Sequence, residues 1–171
     1  MLGNGDVVTA ADALSMVAAT GCDGVVVGRG CLGRPWLFAE LDAAFAGRPL
    51  PEPPNLGQVA DVIRRHVALL VQWHGGEERL PAFRKHLAWY LKGYAVGSEV
   101  RRRAGQVGSV ADVEALLGLL DPDVPAPEGA EGFNRSHSNP LSRVALPEGW
   151  LDDPEERVVL APGADAMVSG G

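Results

Sequence analysis

VVVGRGCLGRPWLF, residues 25–38, decides how the first part of this chain is read. Val25, Val26 and Val27 form an uninterrupted β-branched run, the pattern of a strand buried on both faces of a parallel sheet with helices on each side. Gly28, Arg29 and Gly30 follow at once, and Pro35 is placed for the first turn of a helix that Gly47 ends. Upstream, Thr9 with Asp12 three residues later resembles a capping box. It opens a helix with Ala13, Leu14, Val17 and Ala18 on one face, and Gly21 is its natural stop. Cys22-Asp23-Gly24 turns the chain into the valines. Residues 1–50 therefore read as the end of a βα repeat whose first strand is only Met1-Leu2.

Two glycine-bearing turns then stand one βα unit apart: Gly3-Asn4-Gly5-Asp6 and Gly28-Arg29-Gly30. Each is expected at the C-terminal end of a strand and just before a helix. Glycine there lets backbone approach a ligand closely, and a helix start offers unpaired N–H groups and a positive dipole end. Arg29 adds a guanidinium suited to bidentate phosphate contact. TIM barrels hold a phosphate in this way. The bland alternative is a pair of ordinary βα turns that need positive φ.

The segment 51–57, PEPPNLG, reads as a rigid linker, after which the pattern is helical only. Asn55 and Gln58 can cap a helix bearing Val59, Val62, Ile63, His66, Val67 and Leu70, ended by Gly75-Gly76. A second helix from near Pro81 carries Phe83, Leu87, Tyr90, Leu91 and Tyr94 toward a core. A short basic helix spans about 98–104. Ser109 and Asp112 cap a last helix with Val113, Leu116, Leu117 and Leu120, closed by Pro122. The spacing predicts a four-helix antiparallel bundle over 58–120.

From 121 onward the chain has 7 Pro and 6 Gly in 51 residues, few aliphatics and excess acid, a composition that predicts disorder. The net charge of −7 belongs there: residues 121–171 hold 3 basic and 10 acidic side chains, whereas residues 1–120 hold 12 of each. Residues 58–120 hold 9 basic and 6 acidic side chains, net +3. Arg84, Lys85, Lys92, Arg101, Arg102 and Arg103 concentrate that charge, with Lys85 and Lys92 seven apart and so expected on one helical face. A positive face suits a nucleic-acid backbone; a solvated surface is the plainer reading. The chain is 46% hydrophobic and 22% charged. No apolar run approaches the roughly 20 residues of a membrane helix, and no leader pattern opens it, so a cytoplasmic protein is expected.

Cys22 and Cys31, at opposite ends of the proposed strand, would lie roughly 25 Å apart, beyond the ~7 Å limit for a disulfide. Free thiols are expected. His66, His74, His86 and His137 show no metal-ligand spacing, so no metal is expected. His66 reads as a satisfied core histidine. Trp89 and Tyr90 read as bundle core before base-stacking groups.

GNGD, TGCDG and VVVGRGCLGRPWLF together, with FRKHLAWYLKG at residues 83–93, resemble the end of the tRNA-dihydrouridine synthase family over residues 1 to about 120. The resemblance implies a fold that is α/β and then all-α. The last βα units of an incomplete FMN-binding TIM barrel (1–50) precede a helical tRNA-binding domain. It also implies an FMN that NADPH reduces and that acts on a uridine of tRNA. The family's phosphate-side flavin contacts map onto Asn4, Gly5, Asp6, Gly28 and Arg29. Arg84, Lys85, Lys92 and Arg101–Arg103 become candidates for tRNA contact, in a monomer. The family's catalytic cysteine, with a lysine and a histidine near the flavin, lies upstream of GNGD. No catalytic residue is therefore assigned in this chain, and neither Cys22 nor Cys31 takes that role. The chain is expected to be a C-terminal fragment, from a truncated gene model or a broken gene, that alone neither binds FMN tightly nor reduces uridine. The alternatives are a free-standing RNA-binding helical module with vestigial barrel sequence, or a phosphate-binding barrel enzyme of other chemistry.

Overall fold

A computed structural model describes residues 1–129. In chain order these form β1 (Leu2–Asn4), α1 (Ala10–Thr20), β2 (Gly24–Val26), a single 3-10 turn (Arg29–Cys31), α2 (Leu37–Phe45), α3 (Leu56–His74), α4 (Leu80–Tyr90), α5 (Gly97–Ala104) and α6 (Val110–Leu117). The strands pair in parallel, with Leu2 opposite Gly24, Gly3 opposite Val25 and Asn4 opposite Val26. A parallel pair needs a crossover, and α1 supplies it.

One local device starts three of the helices. Thr9 Oγ1 accepts from the Asp12 amide while Asp12 accepts from the Thr9 and Val8 amides. Burial pushes the Asp12 carboxyl up, but these bonds outweigh it and leave the group below its usual range. Asn55 with Gln58, and Ser109 with Asp112, repeat the arrangement at α3 and α6. Each satisfies amides that a helix start would leave unpaired, worth about 1 kcal/mol. Gly21, at φ 68°, ends α1 in the left-handed conformation that a Cβ disfavours.

The strands depart from the sequence reading. β1 runs on to Asn4, so the first residues of GNGD are strand, and β2 ends at Val26, leaving Val27 in the following loop. Val26 is exposed rather than buried, because the described sheet has two strands and no covering layer over that edge. On α1, Ala10 and Ala13 are buried while Leu14 and Ala18 face outward, so the buried stripe is narrower than expected.

Two cores result. The smaller contains Val7, Ala10, Ala13, Leu37 and Leu41, with Met16, Val25 and Val27 against it. The larger joins α3 (Val59, Ile63, Val67), α4 (Leu80, Phe83, Leu87, Tyr90), α5 (Val100, Ala104) and α6 (Val113, Leu116, Leu117). Helix α3 packs on α4 and α6, and α5 packs on α4 and α6, which closes the bundle.

Helix α3 begins at Leu56, inside the stretch read as linker. The start of the acidic tail is also not structureless. The carbonyls of Val124 and Pro122 accept from the amides of Leu56 and Gly57 at 2.9 and 3.0 Å, completing the first turn of α3. Val124 packs on the bundle core. The disorder expected for residues 130–171 lies outside the described residues.

Candidate functional site

The strand register sets the site. Because Asn4 pairs with Val26, the loops after β1 and β2 leave the same end of the sheet side by side. Asn4, Gly5 and Asp6 follow one strand and Gly28 and Arg29 the other. Arg29 Nη2 donates to Asp6 Oδ1 at 3.2 Å, with both side chains more than half exposed. A carboxylate only accepts hydrogen bonds, so Asp6 acts on Arg29 and not directly on an anion.

Handedness explains none of the site glycines, and tight space against backbone explains Gly30. None of Gly3, Gly5, Gly28 or Gly30 has positive φ, which removes the ordinary-turn explanation. A Cβ on Gly30 would stand 2.1 Å from the Val7 carbonyl oxygen, so the two loops seat directly on one another there. Gly28 is the opposite case. At φ −96° and ψ −108° its backbone is neither strand nor helix, and a Cβ there would meet nothing within 4 Å. Open room beside Gly28 and an exposed guanidinium next to it leave this end of the sheet accessible and cationic.

The expected helix dipole behind Gly28 is absent. A single 3-10 turn follows it, and α2 starts only at Leu37, with Pro35 in the preceding turn. Nearby in sequence lies Arg34, which the sequence reading passed over. Arg34 is buried, at 4% exposure. Its Nη1 donates to the Val8 carbonyl at 2.9 Å and its Nη2 to both Glu40 oxygens at 3.1 and 3.4 Å. The available signal was a lone charge inside the apolar stretch Leu32–Phe38.

The residues 28–38 meet residues 83–93. Gly33, at φ 66°, lies so close to Trp89 that a Cβ would fall 2.4 Å from the Trp89 carbonyl carbon. Trp36 packs against the bundle core. Burial, with a smaller contribution from the Cys31 thiol, pushes the Tyr90 hydroxyl up to about 12. His66 Nδ1 lies 3.0 Å from that hydroxyl, so it is a satisfied, half-buried histidine. His86 packs edge-on to His66 and Trp89. Burial first, then His66 and Lys85, push His86 down to about 4. Cys22 and Cys31 are both free thiols, and Cys31 Sγ donates to the Gly28 carbonyl.

The six candidate cations are not one open face. Arg84 Nε donates to the Val107 carbonyl at 2.6 Å and Arg101 Nη2 to the Tyr94 carbonyl at 2.8 Å, so both carry structural work. Arg102 and Arg103 share Glu99, and their hydrogen bonds hold its carboxyl down to about 2. Lys85 is exposed, with its Nζ 5.9 Å from the Trp89 ring centre. Lys92 does not continue the Lys85 face, because α4 ends at Tyr90 and Lys92 sits half-buried in the turn beyond. Among the described residues no group of three His, Cys, Asp or Glu side chains could hold a metal ion, and no helix is long and apolar enough to cross a membrane.

Comparison with known proteins gives consistent matches. The dihydrouridine synthase (Dus) family model matches residues 1–121. A probable tRNA-dihydrouridine synthase of Mycobacterium tuberculosis (strain ATCC 25618 / H37Rv) is 54% identical over 171 residues, covering 100% of this chain and 43% of that protein. One from Mycobacterium leprae (strain TN) is 53% identical over 171 residues, covering 100% of this chain and 44% of its own length. tRNA-dihydrouridine synthase B of Pasteurella multocida (strain Pm70) is 36% identical over 93 residues, 54% of this chain and 28% of that protein. The chain thus spans less than half the length of these relatives. The matched region includes both glycine loops and the whole helical part, and the chain belongs to the dihydrouridine synthase family.

Proposed function

We propose that this chain is the phosphate-binding and RNA-facing part of a flavin-dependent enzyme that reduces uridine to dihydrouridine in tRNA. The observation that carries the reading is the meeting of Gly28-Arg29 with Asp6 at one end of a parallel strand pair. In this reading β1, α1, β2 and α2 are the last βα units of a TIM barrel over residues 1–50, joined through 51–57 to a tRNA-binding helical domain over 58–120.

Asn4, Gly5, Gly28 and Arg29 would hold the phosphate of FMN, with Asp6 orienting the Arg29 guanidinium. When bound, the flavin supplies the hydride for the uridine double bond and is replenished by NADPH. Arg29 contributes charge and a planar fork, and Gly28 leaves room for the anion to approach the backbone. An incoming phosphate competes with Asp6 for Arg29, so affinity depends on how firmly that carboxylate holds. No residue of this chain is assigned the proton transfer to the base. Lys85, Arg102 and Arg103 would meet the RNA backbone, while Arg84 and Arg101 shape the surface that presents them.

Deleting the coding sequence in its source organism and measuring dihydrouridine in bulk tRNA by mass spectrometry tests the function. Loss of dihydrouridine at one or more positions is expected; an unchanged tRNA complement overturns the reading. The size of the helical core keeps a second reading, a separate RNA-binding module, in view. Retarded migration of tRNA by residues 55–120 alone would favour it.

A further inference from the structure

Arg34 is the one charged side chain that is fully buried among the described residues. It belongs to neither loop tip, yet it bonds to groups on two different elements. The Val8 carbonyl is in the loop after β1, two residues beyond Asp6, and Glu40 is on the first turn of α2. Arg34 itself follows the 3-10 turn that begins at Arg29. One guanidinium therefore ties together the loop after β1, the loop after β2 and α2.

We propose that Arg34 is a positioning residue for phosphate binding: it fixes the Asp6–Val8 loop so that Asp6 presents Arg29 beside Gly28. This rests on the phosphate-binding role proposed above. A buried ion pair is poor value as packing, since apolar side chains of the same volume avoid its desolvation cost. Its asset is direction. The planar fork donates along fixed vectors to a carbonyl and a carboxylate at once, which no lysine or aliphatic side chain reproduces. Gly30 abuts the Val7 carbonyl with no room for a side chain, so a shift of Val8 moves both loops. Arg34 touches neither Asp6 nor Arg29 in the bonds described, and acts through the backbone between them.

The test uses the full 171-residue chain labelled with ¹⁵N and titrated with FMN to millimolar concentration, with amide exchange measured in parallel. In the unaltered chain the Gly5, Gly28 and Gly30 cross-peaks should move. Arg34→Gln should weaken that titration about tenfold, the scale on which loss of an outer partner impairs a binding group. It should also speed exchange at Val7, Val8 and Gly30 while Ile63 and Leu87 keep their protection. Glu40→Gln should give the same pattern more weakly, and Arg34→Lys should restore only part of the affinity. If Arg34→Gln unfolds residues 1–50, Arg34→Lys, which keeps the charge and loses the fork, is read in its place. An FMN titration and loop exchange both equal to the unaltered chain overturn the proposal. If FMN moves none of these peaks in the unaltered chain, phosphate binding by these loops in the isolated chain fails. The positioning role then stands or falls on loop exchange alone.

Discussion

Between residues 1 and 50, five apolar side chains form the buried cluster; between Leu56 and Leu117, seventeen do. The two regions use the same caps and similar hydrophobic content, yet only the helical one closes on itself. Its helices each find two partners around a shared core. The strand pair has three residues per strand, and Leu2, Leu14, Val26, Phe38 and Phe45 remain exposed. A two-stranded sheet is marginal in water without further strands or a helix layer. The difference teaches that order in the first region leans on the second, through Gly33 against Trp89 and Trp36 against the bundle core.

The comparison can be broken most forcefully at Phe83, which is 1% exposed in the larger core. Phe83→Ala should cost about 3–5 kcal/mol in urea unfolding followed by circular dichroism. Protection in residues 1–50 should collapse with it; an intact strand pair would show the two regions to be independent. The seam itself is attacked by Gly33→Ala. That change places a Cβ at positive φ against the Trp89 backbone and should cost at least about 2 kcal/mol. Exchange should accelerate in 28–38 before it does in α3, and uniform acceleration would contradict the seam.

Lowering pH probes the same boundary through His86. Its folded pKa, about 4, lies below its ordinary 6.5, so the unfolded chain binds more protons between those values. The stability from neutral His86 is full above about pH 6.5 and is lost as pH falls toward 4. The melting temperature should fall across that window, and His86→Gln should flatten the fall. A slope unchanged in the variant would assign it to other groups. Capping offers a finer comparison. Ser109→Ala and Thr9→Ala each remove one bond worth about 1 kcal/mol. Ser109→Ala should lower global stability by that amount, whereas Thr9→Ala should act chiefly on amide exchange within α1. The smallest effect on stability, and the most direct on RNA, is expected from Arg102→Gln with Arg103→Gln. Fluorescence anisotropy with tRNA should show a salt slope shallower by roughly 1–2, about 0.7–0.9 per lost phosphate contact. An unchanged slope sinks the RNA-facing role of α5.

Features that depend on three or four consecutive residues were legible in the sequence. The pairs Thr9–Asp12, Asn55–Gln58 and Ser109–Asp112 each cap a helix, and Gly21 stops one, because those bonds close within one turn. The glycine loops were legible as neighbours because strand order puts them together. Their mechanism was not: Gly30 exists for the Val7 carbonyl, 23 residues away, which no local pattern encodes. Arg34 was hidden for a related reason: one of its bonds goes to the Val8 carbonyl, 26 residues away, which carries no sequence signature. Lys92 was placed on the wrong element because helical periodicity was carried two residues past Tyr90, where the chain had already turned. Arg84 and Arg101 read as surface charge, and only the fold reveals the carbonyls of Val107 and Tyr94 that hold them.

The two hydrogen bonds from Leu56 and Gly57 to Val124 and Pro122 bring the entrance and exit of the helical region to one point. A segment whose ends touch can be spliced into another chain, or reopened elsewhere, without stretching its interior. Joining residue 124 to residue 55 through a short linker and opening the chain between Gly75 and Gly76 would leave every helix pairing in place. Ends that meet at one point are the arrangement that circular permutation and domain insertion tolerate.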